Sequence, residues 1–103
     1  MKTINRLAEK PTHFREDISP EELENLPTFR RLLLNQIGGS QGENGEEAIE
    51  MYQLGLKIRS ATESVDLEDA QFKILKKVCE KNKIQWLSHF HAQVLLLLKE
   101  SEK

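Results

Sequence analysis

Val94-Leu95-Leu96-Leu97-Leu98 places five apolar residues in succession near the end of a 103-residue chain. A helix turns about 100° per residue, so five consecutive positions point all the way round its axis. A domain of this size covers one stripe of a terminal helix and rarely its whole circumference. Trp86, Phe90, Val94 and Leu97 fall at helical spacing and form that stripe, widened by Leu87 and Leu98. Leu95 and Leu96 lie outside it on opposite flanks. Their expected cover is a second copy of the chain or a partner protein. The alternative is an N-terminal arm folded over this helix.

The pattern extends upstream. Phe72, Ile74, Leu75, Val78 and Cys79 give a broad apolar face to a helix over about 66–81. Asp66 reads as its N-cap, Asp69 as the N3 residue, and Val65 with Ala70 as a small hydrophobic staple. The last helix follows over 84–100. Gly38 to Gly45 (Gly-Gly-Ser-Gln-Gly-Glu-Asn-Gly) reads as a flexible loop. Before it, Phe29, Leu32, Leu33 and Ile37 mark a helix over 28–38, with one glycine of Gly38-Gly39 free to take the left-handed position beyond its end. After it, Ala48, Met51, Tyr52, Gly55 and Ile58 mark one side of a helix over 45–60, begun by Asn44 or Gly45. Gly55 inside that helix costs about 1 kcal/mol against alanine, which suggests that a neighbouring helix or ring packs closely there. Ser19-Pro20-Glu21-Glu22 starts a short helix over 20–26, with Ser19 as cap, Pro20 in the first turn and two acids at the positive dipole end. Pro27 stops it, and Thr28 caps the next. Residues 1–18 read as an irregular arm, with a helical turn or a strand around Pro11 to Phe14 as alternatives.

Hydrophobic residues make up 38% of the chain and charged residues 31%, which suits a small helical core under a charged surface. The net charge of −2 supplies no overall field to attract nucleic acid or an anionic membrane. One cysteine excludes an internal disulfide framework and fits a reducing cytoplasm. Lys2, Arg6 and Lys10 are not followed by the apolar region of a secretory signal. A five-residue apolar run is far short of the roughly 20 residues that span a bilayer.

Candidate chemistry is sparse. His89 and His91 lie two apart on a helix and point in different directions, so they do not form the three- or four-apart pair that grips a metal. Cys79 sits on an apolar face without an orienting acid or oxyanion hole, as a buried structural thiol does. Ser40 and Ser88 lack a nucleophile elbow. The glycine-rich loop lacks the Lys-Ser/Thr ending of a phosphate loop and carries Glu43, Glu46 and Glu47, which repel phosphate. Lys73, Lys76, Lys77, Lys81 and Lys83 form a basic cluster, with Arg30 and Arg31 elsewhere. Such a cluster can touch nucleic-acid backbone, but Glu68, Asp69 and Glu80 share its helix, and lysines near a helix C-terminus also answer the helix dipole.

Leu54-Gly55-Leu56-Lys57-Ile58, Val65-Asp66-Leu67-Glu68-Asp69-Ala70-Gln71-Phe72, Leu75-Lys76 and Gln93-Val94-Leu95 resemble small proteins encoded by tailed bacteriophages, a group without an established activity. The resemblance covers roughly the C-terminal half of the chain. It implies a short β-hairpin before the first long helix, action in the host bacterial cytoplasm, and no functional residues to carry over. Pro20-Glu21-Glu22-Leu23, in that early segment, departs toward helix.

The expected fold is all-α: a small bundle of four helices plus a short N-terminal helix, with a short β-hairpin in the N-terminal segment left open. The chain is expected to form a single helical domain over 1–103. The expected function is non-enzymatic. The chain would be a small phage-type assembly or interaction protein that binds itself, as a homodimer, and a host or virion protein. Trp86, Phe90, Leu95 and Leu96 would form the interface, since aromatic and aliphatic anchors dominate protein interfaces. The alternative is a nucleic-acid-binding accessory protein using Lys73, Lys76, Lys77 and Lys81. No cofactor, metal, membrane or small-molecule substrate is expected.

Overall fold

Capping side chains set where three helices begin. Ser19 accepts a hydrogen bond from the Glu22 amide and opens α1 (Pro20–Asn25). Thr28 accepts from the Arg31 amide and opens α2 (Phe29–Gly38). Asn44 accepts from the Glu47 amide and opens α3 (Gly45–Ser60). Each cap satisfies an amide that has no helical acceptor. The computed structural model describes residues 1–40, 42–81 and 88–102, and within them α4 (Asp69–Lys81) and α5 (Ser88–Ser101) complete an all-α bundle.

The small sheet pairs distant segments. Strand β1 (Lys2–Ile4) runs antiparallel to β2 (Val65–Leu67), with Thr3 opposite Asp66 and Ile4 opposite Val65. The antiparallel pair is therefore closed by a segment just before α4 and not by a neighbour in the arm. Side chains alternate as a strand requires. Ile4 and Leu67 are buried, while the Thr3 hydroxyl donates to Asp66 Oδ1 at 2.5 Å on the outside.

This pairing moves the start of α4. Asp66 belongs to a strand and caps nothing, and Ala70 is exposed, so the Val65–Ala70 staple does not form. The capping exchange sits two residues later. The Phe72 amide bonds the Glu68 carbonyl, and Gln71 at N3 reaches back so that its Oε1 accepts from the Glu68 amide at 3.2 Å. Lys57 Nζ also donates to that oxygen at 2.9 Å, which satisfies the buried Gln71 and ties α3 to α4.

One apolar cluster joins Ile4 and Leu7 of the arm with Phe29, Leu33, Leu54, Ile58, Phe72, Leu75, Cys79, Phe90, Val94 and Leu98. The core face of α3 differs from expectation: Met51, Leu54 and Ile58 are buried, while Ala48 and Tyr52 are exposed.

Residues 5–18 are stitched down rather than loose. The Leu7 amide donates to the Glu63 carbonyl, and the Leu7 and Glu9 carbonyls accept from the Arg30 and Phe29 amides. Gln93 grips Thr12 twice, accepting from its amide and donating to its carbonyl, both at 2.8 Å. Lys10 donates to the Leu23 and Glu24 carbonyls at the end of α1.

Two glycines behave differently. A Cβ at Gly42 would lie 2.8 Å from the Ala48 backbone nitrogen, a contact that no side chain can make. At Gly55 it would meet Ile37 Cγ2 at 3.8 Å, an ordinary contact, so no close approach requires this glycine. Gly39 ends α2 at φ −90°, not in the left-handed region, and Ser40 Oγ donates to the Gln36 carbonyl. Gly55→Ala is therefore expected to raise stability by about 0.5–1 kcal/mol through helix propensity, whereas Gly42→Ala lowers it. Urea unfolding of both variants checks this, and a destabilised Gly55→Ala would contradict it.

Candidate interaction surface

The apolar run on α5 is largely consumed by the chain's own core. Val94, Leu97 and Leu98 are buried, and Leu95 is partly buried against the same cluster. Leu96 alone stands out, at 57% exposed. Phe90 is fully buried, so it is a core residue and not a surface anchor. The helical stripe that placed it on the interface is the stripe that packs inward. Trp86 lies outside the described residues. An isolated exposed leucine is ordinary on a protein surface.

The arm supplies part of this cover: Ile4 and Leu7 share the core cluster with Val94, Leu97 and Leu98, while Phe14 is itself 77% exposed. Phe14 stacks on His89 at 4.7 Å, and His89 meets Phe90 edge-on at 4.7 Å. His13, Phe14, Ile18, Leu26, His89 and Phe90 line a cleft of about 370 Å³. The Nδ1 atoms of His13 and His89 are buried there without a hydrogen-bond partner among the described residues. Among those residues, no group of three His, Cys, Asp or Glu side chains is arranged to hold a metal ion.

A contiguous apolar surface lies elsewhere. Ile49, Tyr52 and Leu56 are 59%, 69% and 44% exposed. Spaced three and four apart, they line one face of α3. At 100° per residue that face is opposite Met51, Leu54 and Ile58, so α3 is apolar on two sides. The helix has acids in its first turn, Glu46 and Glu47, and bases in its last, Lys57 and Arg59. Glu47 is paired with Lys77 at 3.3 Å. Glu46 and Glu50 make no ion pair among the described residues.

The lysine cluster is partly neutralised. Lys76 pairs with Glu102 at 2.5 Å, and Lys77 pairs with Glu43 at 2.7 Å as well as with Glu47. Hydrogen bonding to Glu102 raises the Lys76 ammonium above its ordinary value, and hydrogen bonding to Glu43 does the same for Lys77. The Glu43 and Glu102 carboxyls are held below their ordinary value, each chiefly by the hydrogen bond from its lysine. Lys73 and Lys81 remain exposed on α4. A phosphate backbone would have to displace the carboxylates of Glu43, Glu47 and Glu102 from Lys76 and Lys77, which opposes the counterion exchange that drives such binding.

Cys79 is fully buried in the core cluster. Burial pushes its thiol up to about 12, which leaves no thiolate near neutral pH to act as a nucleophile. Among the described residues no helix is long and apolar enough to cross a membrane.

Comparisons with protein-family models, curated proteins and solved structures found no match to this chain.

The thiol gives a pH test of the packing. An unfolded chain ionises it near 9.0, while the folded chain holds its proton to about 12. The folded form keeps a proton that the unfolded form loses. Its contribution to stability is therefore full below about pH 9 and falls as pH rises toward 12. The drop in urea midpoint between about pH 8 and pH 10 is expected to be smaller in Cys79→Ala than in the native chain. Equal drops would show that the thiol is not held neutral.

Proposed function

We propose that this chain is a small non-enzymatic interaction protein that acts by associating with itself. The observation that carries this reading is the outward face of α3, where Ile49, Tyr52 and Leu56 stand in water on the side away from the core. Contiguous exposed apolar side chains at helical spacing mark association surfaces, whereas scattered ones do not. This moves the expected surface from α5, whose run is mostly packed inward, to α3. The neutral thiol of Cys79 supports a non-enzymatic role.

In the setting implied by the resemblance to proteins of tailed bacteriophages, the assembled form would act in a bacterial cytoplasm and meet a host or virion protein.

Solution mass tests the reading directly. Sedimentation or light scattering over a concentration series up to about 1 mM is expected to show a monomer passing into a dimer. A chain that remains monomeric throughout the series would remove self-association from the proposal.

A further inference from the structure

The exposed face of α3 carries more than apolar side chains. Glu46, Glu50, Gln53 and Lys57 recur at intervals of four, three and four along one flank of the Ile49–Tyr52–Leu56 stripe. That flank is acidic in the N-terminal half and basic in the C-terminal half. Glu46 and Glu50 have no ion-pair partner among the described residues. Lys57 donates to the neutral amide of Gln71 and makes no ion pair among the described residues.

We propose that the occupant of this face is a second copy of the chain, docked α3 against α3 in antiparallel orientation about a two-fold axis between Tyr52 and Gln53. This rests on the self-association reading above and names its geometry. A two-fold contact uses the same patch twice, so the patch must complement itself when reversed. The α3 face does. Reversal about that axis sets Ile49 level with Leu56 of the other copy and brings the two Tyr52 rings to either side of the centre. On the flank it sets Lys57 level with a point between Glu46 and Glu50 of the other copy. A parallel two-fold contact would carry this flank to opposite sides of the interface in the two copies, leaving the Glu46, Glu50 and Lys57 charges without each other as partners. A foreign partner would need its own matching pattern, whereas a second copy carries it already.

The helix is 16 residues long, about 24 Å. A contact built on one helix pair is smaller than the roughly 800 Å² per partner of a standard interface. The dimer is therefore expected to dissociate in the micromolar range or weaker.

The experiment is sedimentation equilibrium on four proteins, each checked for helical content by circular dichroism: the native chain, Tyr52→Glu, Leu96→Glu and Lys57→Glu. A fifth chain, Glu46→Lys with Glu50→Lys, is measured alone and mixed with Lys57→Glu. Tyr52→Glu is expected to weaken dimerisation at least about tenfold, as loss of a central aromatic anchor does, while Leu96→Glu leaves it unchanged. Lys57→Glu and the double lysine variant are each expected to self-associate more weakly than the native chain. Their mixture is expected to regain dimers, because each then supplies the charge the other lacks. The mixing arm guards against misreading a folding defect in either variant. A native dimer that survives Tyr52→Glu, that is broken by Leu96→Glu, or whose charge variants do not recover on mixing overturns the α3 geometry while leaving self-association standing. A native monomer at every concentration overturns self-association itself.

Discussion

The first turn of α2 presents three amides that no carbonyl of its own helix can reach, and the arrangement of the N-terminal third follows from how they are satisfied. Thr28 Oγ1 takes the Arg31 amide, but the Phe29 and Arg30 amides bond the Glu9 and Leu7 carbonyls of the arm. A buried amide left without an acceptor costs about 1–3 kcal/mol, so the arm completes the helix as much as the helix anchors the arm. Arg6, held at φ 64°, turns the chain to make this possible, with its guanidinium 5.4 Å from the centre of the Phe29 ring. The turn delivers Leu7 to the core and Thr12 to Gln93. The closing helix is covered from within as a result.

That internal cover changes which surface is left over. Val94-Leu95-Leu96-Leu97-Leu98 looks like a surplus when α5 is taken alone. With Ile4 and Leu7 in the same cluster as Val94, Leu97 and Leu98, and Phe14 stacked over His89, the surplus shrinks to Leu96. On α3 the reverse holds. Met51, Leu54 and Ile58 fill its inward face, and Ile49, Tyr52 and Leu56 remain on the other side.

Features decided within a few residues were legible in the sequence. Ser19, Thr28 and Asn44 cap the helices they precede, and the core stripes of α2, α4 and α5 follow their apolar spacing. Features decided across the chain were not. The β1–β2 ladder joins three-residue segments with no turn between them, and no local pattern marks it. The same pairing turns Asp66 from an expected cap into a strand residue. The α3 face was misread because an apolar helix on two sides has no single dominant stripe, and Tyr52 fits either. Lys76 and Lys77 read as a free basic cluster because their partners, Glu102, Glu43 and Glu47, come from other elements. The interface reading of Phe90 failed on its own terms, since a residue at the centre of a core stripe is the one a partner cannot reach.

Acids at the start of α3 and bases at its end have a simpler source in the helix dipole, which favours negative charge at the N-terminus and positive charge at the C-terminus. That source explains Glu46 and Arg59, and it applies to any helix. It does not explain why three large apolar side chains face water between them. Solvent exposure of Ile49, Tyr52 and Leu56 gains nothing for an isolated helix, while the same residues brought against their own copies leave water together. The dipole pattern then serves a second purpose, because two helices charged in this way attract only when they run in opposite directions. Apolar side chains supply the drive for contact at the centre of the helix, and charge on the flank selects the orientation.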